Sequence, residues 1–77
     1  MNKARRKQLE EIIERIQGIS EDLESIMSDE EEYRDNMPEN LQGSEKYEIA
    51  DNACSAMQDA LDNLEEAISN VETASEY

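Results

Sequence analysis

The residue types that carry most enzyme chemistry are scarce in this chain. It has no histidine, one cysteine (Cys54) and 21 carboxylates among 77 residues. Carboxylates three or four apart on a helix share a face, so pairs such as Glu10 with Glu14 or Asp62 with Glu66 could serve acid/base or di-metal work. Helical di-metal sites also use Glu-x-x-His, which a chain without histidine cannot supply. General acid/base work further needs a pocket that shifts a pKa, and a thin helical rod offers little concavity. Cys54 has no histidine to activate it and falls on an apolar helix position, so it reads as a small core residue. The expectation is a protein that is not an enzyme and holds no cofactor.

A metal site fares no better. In the run Ser28-Asp29-Glu30-Glu31-Glu32, Asp29 and Glu31 match the first two ligand positions of a calcium loop. The match then fails, because Tyr33 stands at position five, Arg34 replaces the glycine of the turn and Asn40 replaces the closing glutamate. A solvated acidic helix face is expected instead.

Composition narrows the partners. The formal net charge is −14, and from residue 8 onward only Arg15, Arg34 and Lys46 oppose the 21 acids. Such a surface repels nucleic acid and anionic lipid and attracts cationic surfaces. Rows of carboxylates on a rigid rod can also imitate duplex DNA, which presents one charge per roughly 1.7 Å of its axis. The plainer reading is that the acids keep a small helical protein soluble. The lone cysteine and the polar start Met1 to Glu11 favour a cytoplasmic location, with no membrane partner.

The elements that must position these charges follow from apolar spacing. Leu9, Ile12, Ile16, Ile19, Leu23, Ile26, Tyr33 and Met37 fall in alternating steps of three and four, a heptad seam vacant only at Glu30. Ile13 and Met27 lie beside it and widen the stripe. A second seam runs through Tyr47, Ala50, Cys54, Met57, Leu61, Leu64, Ile68 and Val71, with Ala53, Ala60, Ala67 and Ala74 in a row next to it. That row either admits another backbone closely or simply favours helix. Between the seams lies the only proline. Asn36 can cap or turn, Pro38 to Gln42 can form one helical turn capped by Gly43, and Ser44 can cap the second helix.

The predicted fold is all-α: an antiparallel two-helix hairpin, helical over about 3–35 and 44–75, in a single domain of residues 1–77 with a connecting loop at 36–43. Residue numbers facing each other should sum to about 80, so that Ile26 meets Cys54 and Ile19 meets Leu61. Ile13, Met27 and the alanine row would remain uncovered, which predicts a homodimer forming a four-helix bundle. At the far end, Lys3, Arg5, Arg6 and Lys7 would lie beside Glu65, Glu66, Glu72 and Glu76. They either match those charges or form an anion-binding end.

The central stretch Asn36-Met37-Pro38-Glu39-Asn40-Leu41-Gln42-Gly43-Ser44-Glu45-Lys46-Tyr47-Glu48 resembles a motif of small, acidic, helical proteins from phages and prophages of Gram-positive bacteria. The motif reads Asn-x-Pro-Glu-Asn-Leu-Gln-x-Ser-Glu-x-Tyr-Glu. The resemblance extends loosely over the whole chain and implies a setting, the cytoplasm of a bacterial host, but no established activity.

Three functions are open on the sequence. The first is a phage-type inhibitor that binds a basic surface of a host defence or nucleic-acid-handling protein by mimicking nucleic acid, through Asp29, Glu31, Glu32 and Asp35. The second is a sponge that sequesters a nucleotide signal between subunits, through the basic residues and the central loop. The third is a structural coiled coil. The loop either binds through Arg34, Asn36, Pro38, Glu39, Asn40, Gln42, Ser44 and Tyr47, or is tied internally by Arg34, Asn40, Gln42 and Ser44, with Leu41 plugging the bundle end.

Overall fold

A computed structural model describes all residues from Met1 to Tyr77. It contains α1 (Lys3–Asp35), a single 3-10 turn at Glu39–Leu41 and α2 (Glu45–Ser75). No strand is present. Asn2 starts α1, its side-chain oxygen accepting from the Arg5 backbone N–H at 2.8 Å. Ser44 starts α2 in the same way, accepting from the Tyr47 N–H at 3.4 Å. Each cap satisfies a donor that the first helical turn leaves free.

The two helices pack against each other as an antiparallel hairpin 59 Å long, 15 Å wide and 11 Å deep. The Met1 ammonium donates to the Tyr77 carbonyl at one end, and Arg34 reaches Asp51 near the other. These two bonds bracket the register expected from the sequence. Only Ala50 and Cys54 are buried, so the hairpin is held by a line of half-covered side chains and not by an enclosed core.

The line on α2 is the predicted one: Ala50 and Cys54 are buried, and Met57, Leu61, Leu64, Ile68 and Val71 are half-buried. On α1 the seam differs from the sequence reading. Ile12, Ile19, Ile26 and Tyr33 are exposed, Ile19 at 56% and Ile26 at 59%. Half-buried in their place are Ile13, Ser20, Met27 and Arg34, alternating with Leu9, Ile16, Leu23, Glu30 and Met37. The helix is turned by about 50°, half the angle between successive residues. The turn brings Arg34 over α2, where Asp51 accepts its N–H, and carries the row from Ile12 to Tyr33 onto a flank. The uncovered side is therefore not the one with Ile13 and Met27, and the alanine row Ala53, Ala60, Ala67 and Ala74 is half-buried within the hairpin rather than left uncovered.

The connection is also built differently in detail. Pro38 precedes the 3-10 turn with extended backbone, φ −55° and ψ 147°. Gly43 does not take a left-handed conformation, and no residue has positive φ. The chain turns through backbone bonds instead: Leu41 N–H to Pro38 C=O at 2.8 Å, Gln42 N–H to Glu39 C=O at 3.2 Å and Ser44 N–H to Leu41 C=O at 3.0 Å.

Candidate functional site

The acidic residues singled out from the sequence do not form one patch. Asp29 and Glu32 share a shallow depression of about 480 Å³ with Tyr33, Asn36, Met37 and Pro38. Glu31 is half-buried and lies a third of a turn away, towards the seam. Asp35 is engaged by Arg34, whose Nε donates to it at 2.9 Å. The structure thus brings Asp29 and Glu32 together, in contact with the loop, and separates them from Glu31 and Asp35.

Arg34 was a loop candidate and proves to be a seam residue. Its side chain is 19% exposed and donates both to Asp35 and, across the hairpin, to Asp51 at 3.0 Å. Those hydrogen bonds, Asp35 first, hold its pKa above the ordinary arginine value against the opposing effect of desolvation. The guanidinium also lies near Cys54. Burial pushes that thiol above its usual value; Arg34 opposes the shift, and Glu31, Glu30 and Asp51 add to it. Cys54 is therefore a protonated, enclosed thiol at neutral pH.

Of the remaining loop candidates, Ser44 is structural: its hydroxyl donates to the Leu41 carbonyl while its oxygen caps α2. Tyr47, half-buried in the first turn of α2, supplies the N–H that is capped. Asn36, Pro38, Glu39, Asn40 and Gln42 are exposed, and the side chains of Asn36, Glu39, Asn40 and Gln42 make no hydrogen bond within the protein. The expected internal ties through Asn40 and Gln42 are thus not formed. Leu41 is exposed and does not plug the end.

Two further features bear on chemistry. An open groove of about 560 Å³ runs along one side of the hairpin, lined from α1 by Gln17, Glu21 and Glu24 and from α2 by Gln58, Asp62 and Glu65. No three of the Asp, Glu and Cys side chains converge as metal ligands would. At the base of the rod, Lys3, Arg5, Arg6 and Lys7 form no ion pair; the only two in the molecule belong to Arg34. The expected matching with Glu65, Glu66, Glu72 and Glu76 is therefore not made as direct contacts. No helix is long and apolar enough to cross a membrane.

Comparison with family models, with curated proteins and with solved structures found no match for the chain.

Proposed function

We propose that this protein is a non-catalytic, phage-type binding protein that occupies a basic nucleic-acid-binding surface of a bacterial host protein. The observation that carries the reading is the density of charge along an elongated support 59 Å long and 15 Å by 11 Å across. Twenty-one carboxylates are distributed over 59 Å, one per about 2.8 Å of length, against one per roughly 1.7 Å of axis in duplex DNA. Asp29 and Glu32, beside the unpaired loop side chains, are the contact residues proposed at the tip. Self-association into a four-helix bundle in the host cytoplasm is part of the same reading. The motif from Asn36 to Glu48 is the basis for placing the target in a bacterial host.

The nucleotide-sponge reading draws no comparable support. The loop and the basic residues Lys3, Arg5, Arg6 and Lys7 lie at opposite ends of the 59 Å rod, so one small ligand could meet both only between two chains packed head to tail.

The test is capture of host proteins on the immobilised chain at low salt, followed by elution with duplex DNA and, separately, with high salt. The expected result is a target released by both, its affinity falling steeply as salt rises. Captured proteins that duplex DNA does not displace would count against mimicry, as would an empty eluate.

A further inference from the structure

The side of the hairpin opposite the acidic groove is poor in acid, with Asp22 and Asp29 on its α1 margin. Helical geometry puts the exposed row Ile12, Ile19 and Ile26 on that side of α1, about 80° round from the seam. On α2 the half-buried row Ala53, Ala60, Ala67 and Ala74 borders the same side, because the groove residues Gln58, Asp62 and Glu65 occupy the other flank of that helix. Beyond the alanines come Ile49, 61% exposed, then Ala56, Asn63 and Asn70. Every one of the 21 carboxylates falls outside these three rows. Asp22 and Asp29 are the acids at the edge of the face.

We infer that this face binds a second copy of the same chain, the isoleucine row of each copy seated on the alanine row of the other. Three observations select that occupant. First, the chain exposes 5881 Å², whereas a folded monomer of 8.8 kDa exposes about 4,800 Å². The excess of about 1,100 Å² exceeds the roughly 800 Å² that each partner covers in a standard interface. Second, a face 59 Å by 15 Å has a footprint of about 900 Å², enough for such an interface. Third, a chain of net charge −14 can approach its own copy only where carboxylates are missing, since like charges brought together are unfavourable.

The seating follows from shape. Both rows repeat every seven residues, about 10.5 Å, so they stay in step along the rod. Large side chains pack best against small ones on the facing surface. Isoleucine over alanine requires a two-fold axis along the rod, which places both loops at one end and both basic clusters at the other. The alternative axis, across the rod, would set isoleucine on isoleucine and alanine on alanine. In the proposed pair the combined net charge is one per about 2.1 Å of the 59 Å length, close to the spacing of duplex DNA.

This inference deepens the bundle part of the proposed function and shares with the acidic surface only Asp29, at the margin of the face. Light scattering across a dilution series should give twice the 8.8 kDa of one chain at about 100 µM, with the melting temperature rising with concentration. Ile19→Glu should give a monomer, or a chain that no longer folds at low concentration. Ile19→Ala should keep the helical circular-dichroism signal and raise the dimer dissociation constant about tenfold or more. Gln17→Glu, on the groove side, should change neither. A helical wild-type monomer at 100 µM would overturn the proposal, as would a dimer indifferent to both Ile19 substitutions. The seating is read by pyrene attached at Gln42→Cys in a Cys54→Ala background: excimer emission is expected from adjoining tips, and its absence in a confirmed dimer would overturn the seating. Target capture through the acidic surface is measured separately by salt and DNA elution, so either reading can fail without the other.

Discussion

Arg34 on α1 donates an N–H to the carboxylate of Asp51 on α2 at 3.0 Å, the only side-chain hydrogen bond that joins the two helices. The same guanidinium holds Asp35 at 2.9 Å, so one cation serves two acids at the loop end of a strongly acidic rod. Replacing it with an uncharged residue leaves Asp51, Glu30 and Glu31 near Cys54 without a neighbouring cation and frees Asp35.

Arg34→Met should therefore lower the melting temperature more than Asp51→Asn does, because the first leaves unneutralised carboxylates and the second removes one. The difference between them should shrink as salt is raised, since partly exposed charges are screened. Thermal unfolding of both single variants and the double variant at low and high salt measures the coupling. Equal losses at all salt concentrations would show that Arg34 acts through packing of its stem alone.

Gly18 lies in the middle of α1, and a Cβ built there meets nothing within 4 Å. Gly18→Ala should stabilise the hairpin by about 1 kcal/mol, a rise in melting temperature of roughly 4 to 8 °C for a chain of this size. A neutral or negative result would indicate that something covers this position in solution.

Ala50 is 1% exposed, the most enclosed side chain in the protein. Ala50→Leu should destabilise by about 1 to 3 kcal/mol, the usual cost of adding methylenes where there is no room. Denaturant titration decides it, with the midpoint moving and the slope unchanged if the fold survives.

Burial raises the Cys54 pKa above its ordinary value of 9.0 in the folded chain. A raised pKa means that the folded state holds the proton more tightly. Its contribution is fully present below the unfolded thiol value and is lost as pH rises through the folded one. Stability should thus fall from about pH 9 upward, and Cys54→Ala should remove that part of the fall. Reaction of the thiol with a disulfide reagent at pH 8 should be slow and should accelerate with denaturant. Rapid modification of the native protein would contradict an enclosed thiol.

Asp29 and Glu32 meet at one depression, whereas Glu31 and Asp35 do not join them. Asp29→Lys with Glu32→Lys should therefore weaken capture of a basic target more than Glu31→Lys with Asp35→Lys. The salt dependence of binding should become shallower in the first case. Equal effects of the two pairs would mean that only total charge counts.

The helix limits, the loop and the α2 seam were legible because caps, proline and a single apolar stripe leave few alternatives there. The α1 seam was not. Positions around Ile12, Ile13 and Ile16 offer apolar residues on three adjacent heptad places, and a helix pair buries only two of the three. Local pattern does not choose between Ile12 and Ile13, or between Ile26 and Met27. The choice rests on what α2 presents, including Asp51 for Arg34. A signal was present in the distribution of the acids: the rows through Ile12, Ala53 and Ile49 are free of them, which sets that face apart from the rest of the surface. The loop side chains were overread for the same reason. Hydrogen-bonding capacity in Asn40 and Gln42 says nothing about whether the backbone has already closed the turn by itself.

The seven-residue spacing shared by both helices has a consequence for size. Removing residues 13–19 from α1 and 60–66 from α2 would delete one full repeat from each, leaving every remaining seam contact in its place and shortening the rod by about 10.5 Å. The molecule is in this sense a ruler whose length is adjustable in fixed increments. The length of its acidic surface is set by the number of repeats, independently of the tip.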